Sequence, residues 1–297
     1  IKESNSGGVV SQKLAKLGIQ AIVLEDKPEP NAPLTLIRVT KDGVTFEDAP
    51  ASGNMGNYEY AKILDAKFGG SAVCALIGPA GEMCLKASTI QFTDLEGRPA
   101  RSAGRGGMGA VMGSKRVKAI VVDDAGAPGV SYADREAFKT AGKRWAEILR
   151  THPITSQGLP GFGTAILINI INEAGALPTK NFRSGRFDKA AQVSGEKMVE
   201  LIEKRGGKAK EGCHAGCAIQ CSQKYVNEKG EYVTSGFEYE TLWAMGPNML
   251  ISDLDDIAAL DRLCDEWGVD TIETGNALAM YMEAGVIPWG DGKAAIE

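Results

Sequence analysis

The sequence predicts an α+β fold: a partial, strand-rich N-terminal domain over residues 1–126, then a mainly helical domain over residues 127–297. Three observations carry this. Short runs of β-branched and apolar residues crowd the first 125 positions. Residues 123–129 are small and turn-prone, with Gly126, Pro128 and Gly129. Past that point apolar residues recur at helical spacing. The length of 297 residues suffices for two domains.

In chain order, strands are predicted over residues 21–24, 35–39, 72–77 and 117–122, with one or two helices among them. Residues 58–68 read as a helix closed by Gly69 and Gly70. In the second domain, Ser131 and Asp134 resemble a capping box ahead of Phe138, Trp145, Ile148 and Leu149. Residues 164–173 form a short apolar helix stopped by Gly175 and Pro178, and residues 196–204 an amphipathic one ending at Gly206. Ser252 and Asp255 cap a helix with an apolar stripe through Leu254, Ile257, Leu260 and Leu263. Residues 271–284 follow, ended by Gly285.

Apolar residues make up 43% and charged residues 24%, with a net charge of −5, so the basic stripe that nucleic-acid binding needs is missing. No apolar run reaches the ~18–20 residues of a bilayer span, and no signal peptide is visible, so the expected location is cytoplasmic. The chain opens at Ile1 and runs straight into Ser4, Asn5, Ser6, Gly7 and Gly8, which reads as the interior of a longer polypeptide.

Six cysteines are present, and Cys213, Cys217 and Cys221 crowd into one short segment. A secreted disulfide framework would be shorter and denser in cysteine. Thiolates that converge within a few ångströms suit an iron–sulfur cluster. Zinc and three buried apolar thiols are the alternative readings. A cubane cluster needs a fourth ligand, for which Cys74, Cys84 and Cys264 are candidates, as is a residue outside this chain. His214 reads as a loop residue rather than a ligand.

Gly104, Gly106 and Gly109 satisfy G-x-G-x-x-G, with Asp123 and Asp124 near the distance of a ribose-binding acid. A dinucleotide fold needs a crossover helix of ~10–12 residues or more after the glycines, and the seven residues 110–116, interrupted by Gly113, are too few. The glycines still let backbone N–H groups approach a phosphate, and Arg101 and Arg105 add charged donors. Glu238, Tyr239 and Glu240 read equally as a helix start whose acids answer the dipole or as a catalytic acid or base. Asp265, Glu266, Gly268, Val269 and Asp270 read as a solvated helix end or a ligand-binding turn.

Together these segments resemble the aldehyde ferredoxin oxidoreductase family of tungsten–pterin enzymes. The resemblance rests on Asn5 to Gly8, Ile77 to Glu82, the run Ala103 to Lys115, Gly163-Thr164-Ala165, Asn169 to Asn172, the three cysteines, Glu238 to Glu240, and Cys264 to Asp270, in family order. It implies oxidation of an aldehyde to a carboxylic acid by tungsten, or molybdenum in some relatives, held by two pterins. Electrons would leave singly through a [4Fe-4S] cluster to ferredoxin or an iron–sulfur partner subunit. By the same resemblance, Cys213, Cys217 and Cys221 are cluster ligands. Asn5 and Ser102 offer backbone carbonyls to a Mg²⁺ bridging the pterin phosphates, and Gly7, Arg101, Gly104 and Arg105 lie against the cofactor. Asp265, Val269 and Asp270 match a pterin-binding turn, with valine where leucine is common, and Glu240 handles protons.

Some features depart from the family pattern. The cysteines are spaced C-x₃-C-x₃-C, where many relatives have C-x₂-C-x₃-C, and the bend at Ala215-Gly216 is expected to absorb the extra residue. The fourth cluster ligand, the second pterin turn and a histidine near the metal are expected after residue 297, and further strands before Ile1. A Glu-x-x-His motif that holds interfacial iron in some homodimers falls near Ala259 and Arg262, so that iron is not expected. Alternative readings are a relative acting on another carbonyl or on an aromatic acyl thioester, and a non-catalytic partial chain.

Overall fold

The computed structural model describes residues 1–70 and 72–297. The chain forms two compact units. The first comprises residues 1–139 together with two short segments from later in the chain, 213–215 and 265–270. The second holds residues 140–212, 216–264 and 271–297.

The first unit is built on a six-stranded sheet of β1 (Thr35–Thr40), β2 (Gly43–Asp48), β3 (Ala72–Leu76), β4 (Ile90–Phe92), β5 (Arg101–Ala103) and β6 (Val117–Asp123). The order is β2-β1-β6-β3-β4-β5, with β1 and β6 parallel and the other pairs antiparallel. Four helices, α1 (Val10–Lys16), α2 (Asn57–Phe68), α3 (Pro79–Glu82) and α4 (Met108–Ser114), complete it. One apolar cluster joins Val10, Ile37, Val39, Ile77, Met112 and Val122. A second joins Leu36, Tyr60, Leu64, Cys74, Leu76 and Val121. The predicted strands at 35–39, 72–77 and 117–122 are β1, β3 and β6, whose near-continuous apolar runs are buried.

The predicted strand at 21–24 is not one. Ile22 and Leu24 pack against the first cluster from irregular chain, so the apolar run is used for burial without a ladder partner. Lys118, on central strand β6, has no exposed side-chain surface. Its Nζ donates to Ile77 O at 2.5 Å and to Glu82 Oε1 at 2.5 Å. Burial lowers its pKa against the pull of Glu82.

The second unit has a three-stranded antiparallel sheet, ordered β7-β8-β9, of β7 (Lys208–Glu211), β8 (Ser222–Val226) and β9 (Tyr232–Ser235). It holds most of α5 (Arg135–Thr151) and α10 (Leu254–Trp267), together with α6 (Leu159–Phe162), α7 (Leu167–Glu173), α8 (Gly195–Arg205), α9 (Tyr239–Met245), α11 (Thr271–Glu283) and α12 (Gly292–Ile296). α8 is tied down by Arg205, whose two terminal nitrogens donate to Asp255 Oδ1 and Oδ2 at 2.6 and 2.8 Å.

Both predicted caps move from a serine to an aspartate further along. Asp134, not Ser131, accepts from Ala137 N–H at the start of α5. Asp253, not Ser252, accepts from Asp255 N–H before α10, which frees Asp255 for Arg205. The expectation that no apolar run reaches a bilayer span also needs correction, since Ile154–Glu173 passes by length and composition. That stretch is not one helix. A π-turn (Ile154–Gly158), α6, a 3₁₀ turn (Gly163–Ile166) and α7 follow one another, with the break at Gly163, φ 62°.

Candidate functional site

The first unit gathers four of the segments singled out in the sequence. Arg101 and Ser102 lie on edge strand β5, and Gly104 and Arg105 follow it. Arg101 is buried, while Ser102 and Arg105 are exposed. A Cβ placed on Gly7 would lie 3.1 Å from Cys213 Sγ and 3.7 Å from Arg101 Cδ. One placed on Gly104 would lie 3.2 Å from Asp270 Oδ1 and 3.6 Å from Ser102 Oγ. Gly7 thus faces Cys213 and Arg101, and Gly104 faces Asp270 and Ser102. Asn5 is exposed and donates to Glu3 Oε1 at 3.2 Å.

Asp265 and Asp270 are both 8% exposed, so this turn is not a solvated helix end. Asp265 accepts from Tyr58 Oη and Gln91 Nε2, each at 3.2 Å, and its carbonyl accepts from Asn57 Nδ2 at 2.8 Å. Asp270 N–H donates to Ala87 O at 2.9 Å, and Thr89 N–H to Gly268 O at 2.8 Å. Val269 forms an isolated bridge with Ser88. Tyr58, Asn57 and Gln91 were not singled out in the sequence. They sit in ordinary helix and strand patterns, and only long-range pairing gives them this task.

The remaining glycines of the run do something else. A side chain on Gly107 would strike Lys86 O, on Gly109 Thr89 O, and on Gly113 Gly81 O. These are backbone contacts that seat α4 against the 86–89 loop and α3. The acids that mimic a ribose ligand are also engaged. Asp123 pairs with Arg38 at 3.1 Å, and Asp124 with Lys13 and Lys16 at 2.6 and 2.7 Å. Burial pushes the Asp124 carboxyl up, but its hydrogen bonds with the two lysines outweigh this and hold it below its ordinary value.

The cysteine loop joins β7 to β8, and Cys213, Cys217 and Cys221 are half-buried. Gly216 bends it at φ 78°, where the extra residue was expected to be absorbed. Within this loop the ligand atoms of Cys213, His214 and Cys217 lie within 4.8 Å of one another. The grouping brings in His214 and leaves out Cys221. Gln220 N–H donates to Cys217 Sγ at 3.4 Å, and Gln12 Nε2 holds Ala215 O at 2.8 Å. Among the described residues no disulfide forms, and none of Cys74, Cys84 or Cys264 joins the group. Cys74 is a core thiol, pushed up to about 12 by burial.

In the second unit, Glu240 is the second residue of α9, whose N-cap is Glu238. The helix-start reading of this tripeptide therefore holds. Phe182 meets Trp243, three residues after Glu240, edge to face at 5.7 Å. It does so from three consecutive residues with positive φ, Lys180, Asn181 and Phe182.

Residues 1–124 match the family pattern "Aldehyde ferredoxin oxidoreductase, N-terminal domain", and residues 140–294 match "Aldehyde ferredoxin oxidoreductase, domains 2 & 3". The chain belongs to the aldehyde ferredoxin oxidoreductase family. Tungsten-containing aldehyde ferredoxin oxidoreductase of Thermococcus kodakarensis is 39% identical over 285 residues, 95% of this chain and 44% of that protein. A more distant relative is the WOR-like subunit of an aliphatic sulfonate oxidoreductase of Pyrococcus furiosus, 27% identical over 99% of this chain and 50% of that one. The fold is shared with the active-site complex BamBC of benzoyl coenzyme A reductase, at a TM-score of 0.73 and 22% identity, over 96% of this chain and 43% of that one. The chain therefore spans about half the length of these family members.

Proposed function

We propose that this chain carries cofactor-binding and proton-handling residues of a tungsten–pterin oxidoreductase that converts aldehydes to carboxylic acids. The observation that carries the reading is the convergence, inside one compact unit, of Gly7, Arg101 and Cys213 and of Ser102, Gly104 and Asp270. These are separate family motifs, and they meet where a side chain on either glycine would intrude.

The residues fit the group the family implies. Gly104 leaves room beside a buried carboxylate, Arg101 and Arg105 suit phosphate, and soft thiolates suit iron. Asn5 and Ser102 would offer carbonyls to a Mg²⁺ between the pterin phosphates. Gly7, Arg101, Gly104 and Arg105 would line the cofactor, and Asp265, Val269 and Asp270 would hold one pterin. Cys213, Cys217 and Cys221 would ligate a [4Fe-4S] cluster. When bound, the tungsten–pterin group supplies oxidation of the carbonyl carbon and the cluster passes the electrons on singly. Asp270, held by its backbone at Ala87, orients the cofactor through its carboxylate, and Tyr58 and Gln91 fix Asp265. Glu240 takes up or returns the proton, a contribution of ~10²–10⁴-fold for general acid–base catalysis. Ferredoxin or an iron–sulfur partner subunit accepts the electrons, in a cytoplasmic enzyme able to form a homodimer.

The test is a panel of aldehydes and aromatic acyl thioesters assayed with a viologen acceptor on the complete protein. Turnover of aldehydes supports the reading. Turnover of thioesters alone, or of neither class by tungsten-loaded protein, overturns it.

A further inference from the structure

We infer that Thr164 is a positioning residue for Glu240, and that Gly163 beside it ties the same turn to the Cys221 end of the cysteine loop; this rests on the proton-handling role of Glu240. The first N–H groups of a helix have no partner within it. At the start of α9 the N-cap Glu238 makes no side-chain cap of its own. Thr164, some seventy residues earlier in the chain, supplies one. Its Oγ1 accepts from Tyr239 N–H at 2.8 Å and donates to Glu238 Oε2 at 2.5 Å. A hydroxyl has one proton to give and lone pairs to accept with, and this one uses both kinds on the two residues directly before Glu240.

The rest of α9 is held independently. Thr241, Leu242, Ala244 and Met245 are buried. Gly275 of α11 lets Ala244 O approach so closely that a Cβ there would lie 2.5 Å from it. Thr241 Oγ1 meets Thr271 Oγ1 at 2.9 Å. Thr164 acts on the helix start itself, at Glu238 and Tyr239, directly before Glu240.

Thr164 is held from the other side by Gly163. With φ 62° and ψ −162°, Gly163 occupies a region open essentially to glycine alone. A Cβ there would lie 2.7 Å from Cys221 O and would strike the Gln223 amide, which itself donates to Cys221 O at 2.8 Å. One dipeptide therefore abuts the third cysteine of the loop and grips the start of the Glu240 helix.

The test compares Thr164→Val, which keeps the shape and removes the hydroxyl, with Thr164→Ser, which keeps the hydroxyl, in the complete tungsten-loaded protein. Hydrogen-exchange protection of the peptide over residues 238–245 is expected to fall about tenfold in the valine variant, the size of a lost helix cap. Its kcat for acetaldehyde with a viologen acceptor is expected to fall about ten- to a hundredfold, with KM within about threefold, as for a misplaced catalytic group. Serine should restore both. Unchanged protection overturns the inference, and so does lost protection with unchanged kcat. Glu240→Gln, made in parallel, judges the underlying role separately: full activity in that variant refutes proton handling by Glu240, whatever the exchange data say about the cap.

Discussion

The glycine run divides into two parts that the sequence writes in the same letters. Around Gly104 the missing side chain leaves space beside Asp270 Oδ1 and Ser102 Oγ. At Gly107, Gly109 and Gly113 it lets backbone meet backbone, seating α4 against the 86–89 loop and α3. Glycine density thus marks close approach but not what approaches. A flexible or ligand-facing neighbour points to a site, and a carbonyl oxygen points to packing.

Adding one methyl group to each part should separate the two roles. Gly113→Ala is expected to destabilise the protein by about 3 kcal/mol, because Gly81 O cannot move without α3. Urea unfolding measures it, and a loss under about 1 kcal/mol would erase the distinction. Glu82→Gln attacks the same seat from the far side of α3. It strands the fully buried Lys118 ammonium, at an expected cost of about 3 kcal/mol, read by the same unfolding curves.

Gly104→Ala should do the reverse. Thermal stability is expected to stay within about 1 kcal/mol of the parent, the ordinary range away from core packing, while tungsten per chain falls sharply. Elemental analysis and a melting curve on one preparation separate the two effects. Equal tungsten content in parent and variant would move Gly104 into the packing group.

The smallest expected effect concerns Asp124, the acid that imitates a ribose ligand. Its folded pKa is depressed, so its pairing with Lys13 and Lys16 contributes fully above the unfolded carboxyl value of about 3.9 and is lost as pH falls through the lower folded value. Asp124→Asn should therefore flatten the acid end of the stability profile below about pH 4. At neutral pH it should cost under about 1 kcal/mol, since Lys16 is half exposed. An unchanged acid limb would contradict this.

The parts of the fold legible in the sequence are those whose burial is continuous. β1, β3 and β6 show as apolar runs because both faces of the sheet are covered, and α2, α8 and α11 end at glycines with positive φ. β2 was hidden because it is an exposed edge strand, with Val44 and Phe46 53% and 71% exposed. β7, with the sequence Lys-Ala-Lys-Glu, carries no apolar alternation and is a strand only because β8 pairs with it. In the candidate site, charge and glycine density single out Arg101, Arg105 and the 104–109 run in the sequence, while the roles proposed for Asn5, Ser102, Asp270 and Glu240 come from the family resemblance. Tyr58 and Gln91 were not legible, nor was the cap that Thr164 makes, because a hydroxyl or amide takes its meaning from a partner 70 or more positions away.

The proposed roles of the cradle at Gly104 and Asp270 and of the cysteine loop, to hold tungsten–pterin and iron–sulfur groups, are decided by metal analysis of the complete, anaerobically purified protein. Tungsten and iron are expected together, with a broad visible absorbance that bleaches on reduction. Zinc alone, with no tungsten and no bleaching chromophore, would contradict both roles.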